Sequence, residues 1–246
     1  MHRLYNETDR VFAEMTATLP FPFPLPSAQT PPGLLARAQE LRACLNDIAP
    51  DTLAARTETD YRQTAPGCGE FHFHLFAQPI LGVFPNLTFF TLSGDKLPDF
   101  LQVLLLYYFF TADGTPLSGQ WVSFADLPDG RTYYRAFQAY SGDVLGNMLS
   151  NDVQRFTLAC QALGGQPLEI GSAAFRFAAL PRVPLLLTFW LGDEDFPCSC
   201  KVLFDSSATH YLPIDGCAIL GSQLTSRLVK VLRSERSEIK SKDGGL

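Results

Sequence analysis

The feature that most constrains this chain is a pair of apolar runs, Ala173 to Leu180 (AAFRFAAL) and Val183 to Trp190 (VPLLLTFW), separated only by Pro181-Arg182. Runs of this length, rich in Phe, Leu and Val and joined by a tight connection, predict an antiparallel β-hairpin. So apolar a hairpin must be buried, and Lys201 to Phe204 supplies a third strand after an acidic loop. Upstream, Gly69 to Phe76 (GEFHFHLF) alternates strictly, and Pro79 to Phe84 and Leu87 to Leu92 follow as short apolar runs split by Pro85-Asn86. That pattern predicts a small antiparallel meander, with Phe71, Phe73 and Leu75 in the core and His72 and His74 on the solvent face.

Helical spacing fills the intervals. Leu34, Ala38, Leu41, Leu45 and Ile48 fall on one helical face that ends at Pro50, and Asp51 caps a further short helix through Arg56. Pro98-Asp99 opens an apolar helix through Phe110, interrupted by Gln102 and closed by the turn residues Ala112 to Pro116. Trp121 to Phe124 reads as short and extended, Tyr133, Tyr134 and Phe137 as the start of a helix, and Asp152 to Leu163 as a helix stopped by Gly164-Gly165. A final helix from about Gly216 to Arg233 buries Leu220, Leu224, Leu228 and Val231. The expected fold is therefore α+β: antiparallel hairpins and a meander packed with several helices. The expected division is an N-terminal extension of helices and proline-rich connector (1–50), a main domain (51–233) and a flexible C-terminal tail (234–246).

Within that extension Leu4, Val11, Phe12 and Met15 make a weak helical pattern, and Leu19-Pro20-Phe21-Pro22-Phe23-Pro24-Leu25-Pro26 alternates proline with bulky apolar residues. Proline fixes φ and removes donors, so this stretch favours polyproline II. Its Phe21 and Phe23 are costly to leave in water, which places the segment against the domain or a partner surface.

A formal net charge of -6 gives no basic field for phosphate backbones, so nucleic acid is not an expected partner. The longest apolar run, Phe100 to Phe110, is about half of the roughly 20 residues that a membrane-spanning helix needs, so no membrane partner is expected either. The first ten residues are polar and acidic where a secretory signal has an apolar core, and the six cysteines have no disulfide-scaffold spacing. The expected location is the cytoplasm.

Chemistry-bearing patterns are sparse. There is no Gly-x-Ser-x-Gly, Gly-x-Gly-x-x-Gly or Walker-type loop. The densest polar constellation is the loop Leu191 to Cys200, just past a buried strand, with Asp205 and Asp215 beyond it. Asp193, Asp195 and Asp205 could hold a hard divalent cation if they converged; as a turn, the same loop is a solvated set of caps. Cys198 and Cys200 could share a face if extended, but two thiols are not a four-ligand site. Trp121, Tyr134, Arg182, Trp190, Asp193, Glu194, Asp195, Phe196 and Asp205 form the candidate ligand-binding set: aromatic walls with a cation and acids as polar anchors. No cofactor is assigned. The favoured reading is a non-catalytic module that binds a protein or a small molecule; the alternative is a divalent-metal-dependent enzyme built on the acidic loop. The oligomeric state is left open.

Several ordered blocks resemble an uncharacterised prokaryotic family, domain of unknown function 3786: Leu105 to Phe109, Gly114-Thr115-Pro116-Leu117-Ser118-Gly119-Gln120-Trp121-Val122-Ser123-Phe124, Leu127 to Gly130 and Tyr134, then Leu163 to Gly165, Ala179 to Pro184, Trp190 to Pro197, Leu203-Phe204-Asp205 and Tyr211-Leu212-Pro213. The resemblance covers roughly Asp51 to Leu228. It implies no assigned reaction. Some relatives carry an iron-sulfur cluster segment and occur in anaerobes, which implies an accessory role in iron-sulfur or corrinoid metabolism as a further alternative; this chain lacks that four-cysteine segment, so any cluster would come from a partner. It also reads Ile214-Asp215-Gly216 where a Glu-Asp pair is expected in relatives.

Overall fold

The computed structural model describes residues 32–243, so the expected N-terminal helix and proline-rich segment lie outside the described residues. The fold is α+β, with helices and two antiparallel sheets. Its described residues divide into two compact units: 32–120, 178–184 and 205–219 make the first, and 121–177, 185–204 and 220–243 the second.

The first unit begins with α1 (Pro32–Asn46) and α2 (Pro50–Thr57). A four-stranded meander follows, with β1 (Asp60–Ala65), β2 (Cys68–Leu75), β3 (Gln78–Phe84) and β4 (Thr88–Thr91) paired in chain order. Phe71, Phe73 and Leu75 are buried and His74 is exposed, as the alternation predicts. The apolar run is α3 (Asp99–Thr111). Its Phe109 ring meets Phe71, Phe73 and Phe89 at centroid distances of 5.0, 5.8 and 5.6 Å, so the helix closes the core of this sheet.

Gln102, which breaks the apolar run, has a specific task. Its Nε2 donates to the Phe89 carbonyl at 2.6 Å and its Oε1 accepts from the Phe89 amide at 2.9 Å, so a side-chain amide pairs with edge strand β4 as a neighbouring strand would. β1 was not expected from the sequence. DYRQTA is almost wholly exposed along its length, and an edge strand without a buried face shows no alternation to read.

The second unit contains β5 (Trp121–Ser123), α4 (Gly130–Tyr140), α5 (Gly142–Leu149), α6 (Val153–Ala162) and β6 (Gln166–Leu168). The apolar runs become β7 (Ala173–Leu180) and β8 (Val183–Trp190), and the third strand is β9 (Ser199–Asp205). Together they make a five-stranded sheet in the order β5-β9-β8-β7-β6. β8 is central and buried from Val183 to Phe189. Phe156 of α6 stacks on Phe189 at 5.0 Å, and Phe137 of α4 stacks on Phe124 at 4.3 Å and touches Phe204 at 5.9 Å. The last helix, α7 (Ile214–Asp243), starts two residues before the expected Gly216 and stays helical past Arg233, where SERSEIKSK is composed mostly of helix-compatible residues.

β5 is too short to cover all of β9, and α4 and α5 complete that edge. Gln138 Nε2 donates to the Cys200 carbonyl at 3.0 Å, and a Cβ on Gly142 would stand 2.1 Å from the same oxygen. Only a glycine lets the helix start sit directly on the strand backbone. We predict that Gly142→Ala lowers unfolding stability by about 2 kcal/mol or more through overpacking against a fixed carbonyl. Gly33→Ala, where nothing lies within 4 Å, should instead be neutral or slightly stabilising by removing backbone entropy. Urea denaturation of the two variants beside the parent checks both signs.

Candidate functional site

The acidic loop is the β8–β9 connection, and its own backbone and short polar side chains build it. Gly192 donates its amide to Asn151 Oδ1 at 2.8 Å and accepts from Asn151 Nδ2 at 3.3 Å, a reciprocal amide pair that anchors the loop to the turn after α5. Ser172 Oγ accepts from the Leu191 amide at 3.0 Å. Asp193 Oδ1 accepts from the amides of Asp195 (3.0 Å) and Phe196 (2.8 Å), the local capping that short acidic side chains favour in turns. The Asp193 amide in turn donates to the Phe196 carbonyl at 2.9 Å. A Cβ at Gly192 would lie 2.5 Å from the Cys198 amide nitrogen, so the loop closes tightly upon itself.

This bracing holds large apolar groups in water. Trp190 is 49% exposed, Leu191 49% and Phe196 71%. The β6–β7 connection comes up beside them: Gly171, in the left-handed region at φ +65°, is so close to the Trp190 ring that a Cβ there would be 3.0 Å from it. The end of β6 and that connection add the exposed Leu168 and Ile170. Glu169, Asp193, Glu194 and Asp195 are exposed around this apolar group.

The other expected site residues are placed differently. β8 separates Arg182 from Trp190 by eight residues of extended chain, and β9 separates the loop from Asp205 by seven. At about 3.3 Å per residue these are spans of roughly 20–26 Å, so Arg182 and Asp205 do not join Trp190 around one small ligand. Arg182 instead lies 2.9 Å from Glu58 Oε2 as an ion pair, its Nε–H not aimed along that contact, while its amide donates to the Tyr108 hydroxyl. Burial and neighbouring groups push the Tyr108 phenol far up, so it stays a neutral hydroxyl that donates to the Thr57 carbonyl. Trp121 opens β5 and Tyr134 lies on α4, both half-buried.

Asp205 is 1% exposed, and its carboxylate is filled from within the chain. Oδ1 accepts from the Ser118 amide and hydroxyl at 3.0 and 2.8 Å and from the Ser207 amide and hydroxyl at 3.0 and 2.6 Å; Oδ2 accepts from the Gly119 amide at 2.8 Å. Burial, the largest single influence, pushes its pKa up, but the Ser207 and Ser118 hydrogen bonds together hold it below the ordinary value of 3.8. It is an architectural anion. Among the described residues no three His, Cys, Asp or Glu side chains are grouped as a metal ion would need. Asp193 and Asp205 thus serve separate local structures.

The thiols follow the same logic. Cys198 Sγ donates to the Gly146 carbonyl at 3.4 Å, while Cys200 is buried and its thiol is pushed up to about 12, chiefly by burial. A thiol held protonated, as that of Cys200 is, is a poor soft-metal ligand.

Several participants carried no sequence signal. Asn151 and Ser172 become important only once three connections meet at one end of the sheet. In the first unit, His210 Nδ1 lies 2.7 Å from Asp113 Oδ2, and hydrogen bonds from His210 and Thr115 hold the Asp113 carboxyl down at about 2. That pair is about half exposed on both sides and ties the segment after α3 to the one before α7.

The family model described as a domain of unknown function, DUF3786, matches residues 49–227. No curated protein and no solved structure matches the chain. Among the described residues no helix is long and apolar enough to cross a membrane.

Asp205→Asn keeps the shape but removes the charge and puts a donor where donors already converge. It should cost about 3 kcal/mol of unfolding stability. Because the folded-state pKa of Asp205 is depressed, its contribution is complete above the unfolded carboxylate value and is lost as pH falls through the folded value. The parent should therefore lose stability on acidification below about pH 4 more steeply than the variant. Urea denaturation midpoints between pH 2.5 and 7 measure that difference.

Proposed function

The chain belongs to the DUF3786 family, of unknown function, and on that footing we propose that it is a non-catalytic binding module of the cytoplasm that recognises a partner protein through the Trp190–Phe196 loop. The observation that carries this reading is the exposure of Trp190, Leu191 and Phe196 on a loop whose backbone is braced by Asn151, Ser172 and Asp193. Large apolar groups clustered on a surface mark interaction sites, and Trp is the residue most enriched among binding hot spots. A loop already ordered by its own hydrogen bonds loses less entropy on docking.

The acids around this group define the partner. Exposed Glu169, Asp193, Glu194 and Asp195 favour a partner surface with an apolar centre and Lys or Arg at its rim. All six cysteines are free, which suits a reducing compartment.

A protein recovered with the parent chain and then purified should bind at least about 30-fold more weakly to Trp190→Ser/Phe196→Ser, the loss of a hot-spot interaction of roughly 2 kcal/mol. Asp193 should be left intact, because it folds the loop. Glu194→Lys should slow association and reduce its salt dependence while leaving the apolar contact in place. Calorimetry and stopped-flow mixing with the purified partner report both. Unchanged affinity in the double variant, with its thermal unfolding like the parent's, rejects this face.

A further inference from the structure

The outer strands of the two sheets end in different ways. β4 is paired by the Gln102 amide, β5 and β6 are three residues long, and β6 has Pro167, which has no N–H to donate, at its middle. β1 has none of these protections. It is six residues long, contains neither proline nor lysine, and apart from half-buried Tyr61 is exposed throughout. Among the described residues no other element bonds its backbone besides the ladder to β2. Unpaired backbone of this kind is a template for another strand.

The side chains of β1 select which strand. Tyr61 lies opposite Phe71, with ring centroids 4.9 Å apart and Phe84 at 6.4 Å, and its ring leans inward over Gly69, leaving the outer edge clear. By alternation Asp60 and Arg62 share the other face. There Arg62 Nε and Nη2 donate to Asp60 Oδ2 at 3.0 and 2.8 Å, with both side chains more than half exposed. On β2, Glu70 stands opposite Arg62 and His72 opposite Asp60. The strand therefore carries one acid and one base, evenly spaced about Tyr61.

We propose that β1 pairs antiparallel with β1 of a second copy of this chain, about a two-fold axis at Tyr61. When such an axis relates two antiparallel strands, one residue faces its own copy and the residues on either side face each other crosswise. With Tyr61 on the axis, Asp60 of each copy faces Arg62 of the other, so both cross-strand pairs join opposite charges. An axis at Asp60 or Arg62 would oppose like charges, and one at Gln63 would run into the irregularity that breaks the ladder between Gln63 and Ala65. The charges thus fix a single register for self-pairing. Two four-stranded meanders become one continuous sheet, and the contact closes at two copies because each consumes its own free edge.

Sedimentation equilibrium of the full chain, from micromolar to hundreds of micromolar, tests the contact. The parent should show a monomer–dimer equilibrium. Arg62→Asp, which puts acids opposite acids, should weaken it at least about tenfold, and Asp60→Arg/Arg62→Asp, which exchanges the two charges, should restore it to within about threefold. A cysteine pair reads the register independently. In a Cys44→Ser/Cys68→Ser background, mild oxidation should link Tyr61→Cys chains into dimers but not Asp60→Cys chains, whose introduced thiols lie two residues out of register and beyond disulfide reach. A parent that stays monomeric throughout overturns the proposal. So does a dimer indifferent to Arg62→Asp, a dimer lost in Trp190→Ser/Phe196→Ser, or equal cross-linking of the two cysteine variants.

Discussion

A single buried carboxylate organises the part of the chain that leaves the second sheet. A charge removed from water must find partners within the fold, and Asp205 finds five hydrogen bonds from Ser118, Gly119 and Ser207. Those donors come from the segment before β5 and the turn after β9, so the carboxylate fixes both to the end of one strand. Tyr211, six residues on, then reaches the Thr115 carbonyl, and His210 reaches Asp113. The oxygens that hold these segments are thereby committed to architecture.

A second device recurs in both units. Gln102 pairs with Phe89 on β4, Gln138 caps the Cys200 carbonyl on β9, and Asn151 pairs reciprocally with Gly192 beyond β8. In each case a side-chain amide, which carries both a donor and an acceptor, stands where another strand would have satisfied the backbone. The Trp190–Phe196 loop is a different kind of surface: the amides of Leu191, Gly192, Asp193, Asp195 and Phe196 are bonded within the chain, and Trp190, Leu191 and Phe196 are exposed beside acidic side chains.

The parts of the fold that were legible in the sequence are those with a buried face and a clear period. The β7–β8 hairpin, the meander from β2 to β4 and α3 each bury enough apolar surface to show it residue by residue. β1 has no buried face to show, and α5 carries Gly142 and Gly146 because it packs on the β9 backbone, so its helix is written in residues that disfavour helices. For the site, the acidic loop was visible as a cluster, but its grouping with Arg182 and Asp205 relied on nearness in sequence. An extended strand turns that nearness into distance, and a pattern of residue types does not reveal which oxygens are already occupied by internal donors.

Asp205 is an anion satisfied by five donors from within the chain. Titration of its carboxyl carbon by NMR, with and without millimolar Mg²⁺ or Ca²⁺, measures this most directly. The expected pKa lies below the ordinary aspartate value and is the same with either cation. A pKa at or above the ordinary value, or a carboxyl resonance that moves on addition of the cation, would contradict it.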